Sequence, residues 1–248
     1  MAARMTRPIA APPLAAIVLA AGKGTRMKSR RHKVLHEIAG RPMIEHLLAS
    51  LAELGPERTV VVVGDGREQL ESQLAGRATL VVQEPQLGTG HAVLQAREAL
   101  AGFAGDVLVL YADVPFVRAK TMRAMIERLH LPGDSADIVV LAFEPEDTLE
   151  YGRVIADGGR INWMVEHKDA SEDERRCGLC NSGLMAVRGE GLFDLLAQVG
   201  NANAQGEYYL PEIVNVAIRQ GGACAVVTTP DPDEVAGINS RAELAAAE

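Results

Sequence analysis

Short apolar runs rich in Val, Ile and Leu alternate with amphipathic segments along the first 143 residues, and this alternation limits the possible folds more than any other feature. Such runs are typical of buried strands, and the segments between them have the helical period. Strands alternating with helices indicate an α/β fold, with a mostly parallel central sheet and helices on both faces. The predicted strands are 15–20, 59–63, 79–82, 107–110 and 137–143, and the predicted helices are 43–54, 67–74, 91–99 and 120–129.

After Tyr151 the pattern changes. Two short, polar-flanked strands, 153–155 and 161–165, surround an Asp157-Gly158-Gly159 turn, which is typical of a hairpin. We expect this half to extend the same sheet in a mixed, antiparallel-leaning way. The remaining predictions are strands 184–187 and 225–228 and helices 192–197, 211–218 and 241–246.

The domain organisation follows from what the chain lacks between these elements. No linker or low-complexity run separates the two halves, and no hexapeptide repeat occurs in either. The sequence therefore predicts a single domain over residues 14–248 after an N-terminal tail of residues 1–13, without a C-terminal hexapeptide-repeat domain.

Charge and hydropathy restrict the partners and the compartment. The net charge of −8 disfavours nonspecific binding to nucleic acid or to an anionic membrane, since either needs a basic surface. No apolar run approaches the roughly 18 residues of a membrane span. The apolar stretch near the N-terminus is interrupted by Pro12 and Pro13, which disfavours a secretory signal. We expect a cytoplasmic protein with small-molecule substrates and neither nucleic acid nor membrane as a partner.

The three cysteines fit a reducing compartment better than a disulfide framework. Cys177 and Cys180 have the spacing of a zinc or redox pair. A structural zinc site needs a second pair of ligands, and only Cys224 and scattered histidines remain. This spacing therefore predicts neither a zinc site nor a redox site.

The densest motif is the Gly-rich segment Leu19-Ala-Ala-Gly-Lys-Gly-Thr-Arg-Met27, which follows the first predicted strand. Its glycines would let backbone N–H groups approach a phosphate, and Lys23, Arg26 and Lys33 would neutralise it. The segment lacks the spacing of a Walker A loop, and Met27 stands where a dinucleotide fingerprint needs a third Gly. Two interpretations therefore stay open: a phosphate-binding loop, and a strand-to-helix loop whose cations are solvated.

A second motif, Leu108-Val-Leu-Tyr-Ala-Asp-Val-Pro115, ends an apolar strand at an acidic residue. Open α/β sheets bind ligands beyond the carboxyl ends of their strands, where Asp113 would lie. A carboxylate at this position suits Mg²⁺, which takes few protein ligands and completes its shell with phosphate oxygens. The alternative is a turn Asp before Pro115.

The third motif, Gln83-Glu-Pro-Gln-Leu-Gly-Thr-Gly90, also lies where a strand leads into a helix. The side-chain amide of Gln83 can both donate to and accept from a base edge. Gly88 and Thr89 could let a base lie close to the backbone. The alternative is that Thr89 only caps the following helix.

Nine motifs in this order resemble the bifunctional GlmU family, in its uridylyltransferase half, over residues 15–244. The motifs are LAAGKGTRM, KVLHEIAGRPM, QLGTGHA, LYADVP, YGRVI, VEHKDA, NSGLMAV, NAQGEYYLPEIV and GINSRAEL. Many hexose-phosphate nucleotidyltransferases have GTR-L-x-P-L-T followed by Lys-Pro. The chain has Met27-Lys28-Ser29 and Lys33-Val34-Leu35 instead, which is similar to the GlmU type.

The resemblance implies a Rossmann-like nucleotidyltransferase fold and a defined reaction. The enzyme would transfer UMP from UTP to N-acetylglucosamine 1-phosphate with Mg²⁺ as cofactor, giving pyrophosphate and a nucleotide sugar used in peptidoglycan synthesis. The acetyltransferase repeats of the family have no counterpart in these residues, so no acetylation of glucosamine 1-phosphate is expected. Two alternatives stay open: a nucleotidyltransferase for another sugar phosphate or base, and an inactive nucleotide-sugar sensor.

The resemblance also implies roles for the nucleotide side of the site. Residues implied to line the nucleotide are Leu19, Ala20, Ala21, Gly22, Tyr111, Ala112 and Asp113. Those implied to face the uracil are Gln83, Gly88 and Thr89. Arg26 and Lys33 would act in catalysis on the phosphates. Ala112 stands where we expect Gly in the family, a small departure.

On the sugar side, the implied ligands are Gly152, Glu166, Asn181 and Asn239, and Asp113 and Asn239 would bind Mg²⁺. Three of these residues have a structural alternative when each is considered alone. Glu166 could be a solvated charge at a strand end, Asn181 a turn residue, and Asn239 the N-cap of the last helix.

Overall fold

A nine-stranded mixed sheet forms the centre of the computed structural model, which describes residues 12–148 and 150–248. Its strands are β1 (Leu14–Ala20), β4 (Arg58–Val63), β5 (Thr79–Val82), β6 (Asp106–Tyr111), β7 (Ile138–Phe143), β8 (Arg153–Asp157), β9 (Arg160–Val165), β10 (Cys180–Arg188) and β11 (Cys224–Thr228). A separate small hairpin consists of β2 (Glu37–Ile38) and β3 (Arg41–Pro42). The strand order in the sheet is β5-β4-β1-β6-β10-β7-β11-β9-β8.

Helices cover the sheet. They are α1 (Met43–Ala52), α2 (Arg67–Leu74), α3 (Thr89–Leu94), α4 (Ala119–Leu129), α5 (Glu172–Arg175), α6 (Leu192–Leu196), α7 (Glu212–Arg219) and α8 (Arg241–Ala247). Within the described ranges, no helix is long and apolar enough to cross a membrane. Most of the predicted 1–13 tail, residues 1–11, lies outside the described residues.

The strands β5, β4, β1 and β6 run parallel, as the alternation of apolar runs predicts. All seven residues of β1 are buried, because successive side chains enter apolar layers on opposite faces of the sheet. Ile17 packs in one of these layers and Val18 in the other. The predicted mostly parallel sheet with helices on both faces is confirmed.

The second half extends the sheet with mixed strand directions. Strand β10 lies antiparallel between β6 and β7, and β11 pairs with β7 in parallel. The predicted hairpin is β8–β9, and both Gly158 and Gly159 in its turn have positive φ. The predicted antiparallel-leaning extension is therefore also confirmed.

Several element boundaries differ from the predictions. The predicted strand 184–187 is part of the longer β10, which begins at Cys180 and contains an irregularity between Asn181 and Met185. The predicted helix 91–99 is α-helical only to Leu94. Beyond it the chain tightens into turns in which the N–H groups of 95–97 bond three residues back. The β2–β3 hairpin and the one-turn α5 were not predicted.

Candidate active site

A cleft of about 980 Å³ opens beyond the carboxyl ends of the parallel strands. Its walls come from the segments that follow β1, β4, β5 and β6, joined by Asn239 from the C-terminal region. Open α/β sheets bind their ligands at this edge. The predicted site residues that line the cleft are Leu19, Ala20, Ala21, Gly22, Lys33, Gln83, Gly88, Thr89, Tyr111, Asp113 and Asn239.

Some lining residues were missed by the sequence analysis. They are Gly64, Asp65, Gly66, Arg67, Glu68, Gln86 and Glu207. Five of these follow β4, so the strand-end rule that led to Asp113 could have found them. Gly64 also has a packing role, because a Cβ there would lie 2.7 Å from the Ala21 carbonyl oxygen and closer still to the Gln86 amide.

Three polar side chains that are far apart in sequence meet in the cleft. The ammonium group of Lys33 donates to a carboxylate oxygen of Asp113 and, over 2.6 Å, to Oδ1 of Asn239. The Lys33 side chain is only 9% exposed. The backbone N–H of Ile238 donates to the Asp113 carbonyl over 2.8 Å and so holds the C-terminal segment against this point. Two side-chain oxygen atoms, from Asp113 and Asn239, therefore converge on one cationic group.

The residue after Asn239 caps the last helix, which leaves the Asn239 side chain to contact Lys33. The N-cap of α8 is Ser240, whose hydroxyl accepts from the Glu243 N–H while the Glu243 carboxylate accepts from the Ser240 N–H. The alternative that Asn239 caps this helix is therefore wrong. The Ser-x-x-Glu spacing of a capping box was the signal in the sequence that could have excluded it.

Arg26 is exposed and lies outside the cleft wall, on the 3₁₀ turn Thr25–Met27. Burial alone would raise the pKa of Glu243, but the N–H groups of Asn239 and Ser240 and the charge of Arg26 lower it. Arg26 is thus electrostatically coupled to the segment that carries Asn239. Its predicted contact with the phosphates stays a prediction.

Gln83 is buried, and its hydrogen bonds fix the orientation of its amide. Its Nε2 donates to the Gly88 carbonyl over 2.9 Å and lies 3.1 Å from Nδ1 of His91. Burial lowers the pKa of His91, which favours a neutral ring that can accept this bond. Because the nitrogen is engaged in this way, the carbonyl Oε1 is the atom left to accept a hydrogen bond from a ligand.

The loop at Gly88 requires glycine. Its φ is +112°, and a Cβ there would lie 2.7 Å from the Tyr208 carbonyl oxygen. Among the described residues, no group accepts from the Gly88 N–H. The Thr89 hydroxyl accepts from the Leu210 N–H over 2.9 Å and makes no capping bond at α3. The alternative that Thr89 caps this helix is wrong, and Thr89 instead anchors the 208–210 segment.

Tyr111 connects the cleft with the region of the predicted sugar ligands. It lines the cleft, and a Cβ on Gly183 would lie 2.9 Å from its ring. Burial raises the pKa of Tyr111, against a hydrogen bond from Thr89 that lowers it. Its hydroxyl is therefore neutral at physiological pH. The neighbouring Ala112 is fully buried and does not line the cleft, although its N–H donates to the Leu19 carbonyl over 3.0 Å.

Gly152, Glu166 and Asn181 lie together, outside the cleft wall itself. The Asn181 N–H donates to the Gly152 carbonyl over 2.9 Å, and a Cβ on Gly152 would lie 3.2 Å from a Glu166 carboxylate oxygen. Burial, and secondarily the charge of Asp169, raise the pKa of Glu166, so it is not the solvated strand-end charge of the plain alternative. These three residues, of which Gly152 and Asn181 are buried, form a cluster that is here called the sugar cluster.

The turn alternative for Asn181 holds in part. Its Oδ1 accepts from the Gly183 N–H over 2.9 Å, as in an Asx turn. Its side-chain nitrogen makes no hydrogen bond within residues 12–148 and 150–248. Asn181 thus shapes the strand irregularity and still keeps a donor for a ligand.

A family model, the MobA-like NTP transferase domain, matches residues 16–210. The chain belongs to this family. It is therefore a nucleotidyltransferase, as the motifs of the sequence predict. The fold agrees, because the chain is similar to a solved UDP-glucose pyrophosphorylase complexed with UDP-glucose, with a TM-score of 0.73 and 19% identity over 95% of this chain and 97% of that one. The inositol-1-phosphate CTP transferase from T. maritima is similar with a TM-score of 0.68 and 18% identity, over 92% and 90% of the two chains.

Curated relatives are much more similar in sequence. The chain is 72% identical over 236 residues to the bifunctional protein GlmU of Novosphingobium aromaticivorans, and 66% identical over 236 residues to that of Sphingopyxis alaskensis. Each alignment covers 95% of this chain and 52% of the relative, so the chain spans about half the length of the curated relatives it matches. The resemblance to the GlmU family is confirmed.

Proposed function

We propose that this chain transfers UMP from UTP to N-acetylglucosamine 1-phosphate and releases pyrophosphate. The observation that carries the proposal is the meeting of Lys33, Asp113 and Asn239 in a cleft that Gln83 and Tyr111 also line. The sugar cluster lies outside the cleft wall, near Tyr111. The high identity to GlmU proteins supports the choice of substrates.

The base assignment rests on the orientation of Gln83. Its Oε1 is an acceptor, and uracil presents an N3–H donor, whereas N3 of cytosine carries no hydrogen. The N–H of Gly88, from which no described residue accepts, is a donor suited to a uracil carbonyl oxygen. A buried acceptor that faces the lone pair of cytosine would be left unpaired, which favours UTP over CTP.

The sugar assignment rests on the sugar cluster. A half-buried carboxylate from Glu166 suits sugar hydroxyls, which donate to it, and the side-chain nitrogen of Asn181 suits a hydroxyl or an acetyl oxygen. Gly152 leaves little room beside Glu166, since a Cβ there would already contact the carboxylate. Together these groups favour a polar, acylated sugar over a hydrophobic substrate.

The chemistry of the donor set fits Mg²⁺. A carboxylate of Asp113 and an amide oxygen of Asn239 are hard oxygen ligands, and they already converge on one cationic group. Mg²⁺ characteristically takes one or two protein ligands and completes its shell with phosphate oxygens and water. When bound, the ion would neutralise and align the phosphates.

The proposed reaction is an in-line displacement. A phosphate oxygen of the sugar 1-phosphate forms a bond to the α-phosphorus of UTP. At the same time the bond breaks between that phosphorus and the oxygen that bridges it to the β-phosphorus. Pyrophosphate leaves with the bonding electrons. The attacking phosphate is already anionic, so the chain need not supply a strong general base. Its residues supply orientation and positive charge, chiefly from Lys33 and Arg26.

A grid of nucleoside triphosphates and sugar 1-phosphates, followed by pyrophosphate release, tests the proposal. We expect the highest kcat/KM for UTP with N-acetylglucosamine 1-phosphate. A higher value for glucose 1-phosphate, or for another base, would favour the alternative nucleotidyltransferase. Nucleotide-sugar binding without any pyrophosphate release would favour a sensor.

A further inference from the structure

The contacts of Lys33 bear on the order in which the metal and the nucleotide bind. Its ammonium group contacts both oxygen atoms that are proposed to bind Mg²⁺. An ammonium group and a divalent ion cannot both contact these two oxygen atoms, because the two cations would overlap and repel each other. Lys33 therefore competes with the metal for Asp113 and Asn239.

The structure holds the stem of Lys33 in this position. Lys33 begins a short 3₁₀ turn, Lys33–Leu35, whose other two residues are buried. Gly24 lies against it with a φ of +58°, and a Cβ on Gly24 would be 2.7 Å from the Cβ of Lys33. The base of the side chain is thus fixed by packing. Only its flexible outer carbons and ammonium group can move to a second partner.

We propose that the Lys33 ammonium occupies the divalent-cation position between Asp113 and Asn239 until a nucleoside triphosphate draws it away. This inference rests on the proposed function, since it takes Asp113 and Asn239 as metal ligands. Triphosphate oxygens in the cleft offer the ammonium group stronger anionic partners than an amide oxygen does. The metal then binds together with the nucleotide and not before it.

Binding of Mn²⁺ alone tests the inference without any turnover. Free Mn²⁺ gives an electron paramagnetic resonance signal that is lost on binding, so its Kd can be measured on the full chain without nucleotide. We expect Lys33→Met, which keeps the length of the stem without its charge, to bind Mn²⁺ at least about tenfold more tightly than wild type. At about 4 Å a single and a double charge repel by more than that factor even in bulk water.

Lys23→Met is the matched control. Lys23 lines the same cleft and has the same charge, but no hydrogen bond joins it to Asp113 or Asn239. We expect its Mn²⁺ affinity to stay within about threefold of wild type. Adding Asp113→Asn to Lys33→Met should abolish the gain, since the gained site requires the carboxylate. If Lys33→Met loses its fold by circular dichroism, Lys33→Gln repeats the test with a hydrogen-bonding tip.

Two results would overturn the inference. One is equal Mn²⁺ affinity in wild type and in the folded Lys33 variant, and the other is an equal gain in Lys23→Met, which would reflect net charge alone. A failure of the proposed function looks different, because wild type would then form no nucleotide sugar while the Mn²⁺ result in Lys33→Met still stood. Conversely, the chain could form the nucleotide sugar in a metal-dependent reaction while Lys33→Met leaves the Mn²⁺ affinity unchanged. The proposed function would then stand and the inference would fail.

Discussion

Replacing Gln83 with Ala tests how the base is read. The Gln83 side chain is buried, and its nitrogen is engaged by Gly88 and His91, so its Oε1 is the candidate acceptor for uracil N3–H. With CTP this acceptor would face a lone pair and remain unpaired, at a cost of about 1–3 kcal/mol. Wild type should therefore prefer UTP by about 5-fold to 150-fold in kcat/KM from this contact alone.

In Gln83→Ala the preference for UTP over CTP should fall to a few-fold. The ratio of the two kcat/KM values is the decisive quantity, because any general disturbance of the Gly88 loop lowers both of them. Gln95→Ala is the control, since the Gln95 side chain contacts the other ring nitrogen of His91 and does not line the cleft. An unchanged UTP preference in Gln83→Ala would refute the assignment.

Three further predictions concern the metal, the fold and the pH. Asp113→Ala should lower kcat by about 10²–10³ or more. A chelator should abolish pyrophosphate release by wild type until Mg²⁺ is restored. Full activity in either experiment would contradict the proposed role of the metal. Arg153→Met should lower the free energy of unfolding in urea by roughly 2–4 kcal/mol, because the buried guanidinium donates to Tyr151 and Thr148 and, over 3.4 Å, to the Arg175 carbonyl. An unchanged midpoint would show that these bonds contribute little. Burial raises the pKa of Glu166, so its ionised form is disfavoured in the folded state. Wild type should therefore lose stability relative to Glu166→Gln as the pH rises from the unfolded pKa through the higher folded one, and a pH-independent difference would contradict this.

The parallel half of the sheet was predictable because its information is local. The run Leu14–Ala20 and residues 60–63 of β4 are buried on both faces, and the strand-end rule then places Asp113 and the Gly-rich loop at one edge. The end of α3 was less predictable. Residues 95–97 keep helical periodicity but bond three residues back, a difference that side-chain patterning does not encode.

The site contacts depend on residues that are distant in sequence. Lys33 and Asn239 are 206 residues apart, and Thr89 bonds Leu210 across 121. The Ser-x-x-Glu spacing could have excluded Asn239 as a helix cap, but no local rule predicts that it contacts Lys33 or that Thr89 bonds Leu210, because tertiary packing decides those partners. The motifs identified the candidate site residues, but their mutual contacts could be seen only in the structure. This holds above all for the position of Lys33 between the oxygen atoms of Asp113 and Asn239.

Phosphorus NMR of the reaction tests the central claim most directly. UTP, N-acetylglucosamine 1-phosphate, Mg²⁺ and the purified chain should give one pyrophosphate for each new diphosphate ester, in which the former α-phosphorus of UTP is joined to the sugar phosphate. Both products should form at the same rate, without UMP or orthophosphate. Release of UMP, or pyrophosphate without the sugar diphosphate, would show hydrolysis instead of transfer. Unchanged spectra of all substrates would contradict the proposed function outright.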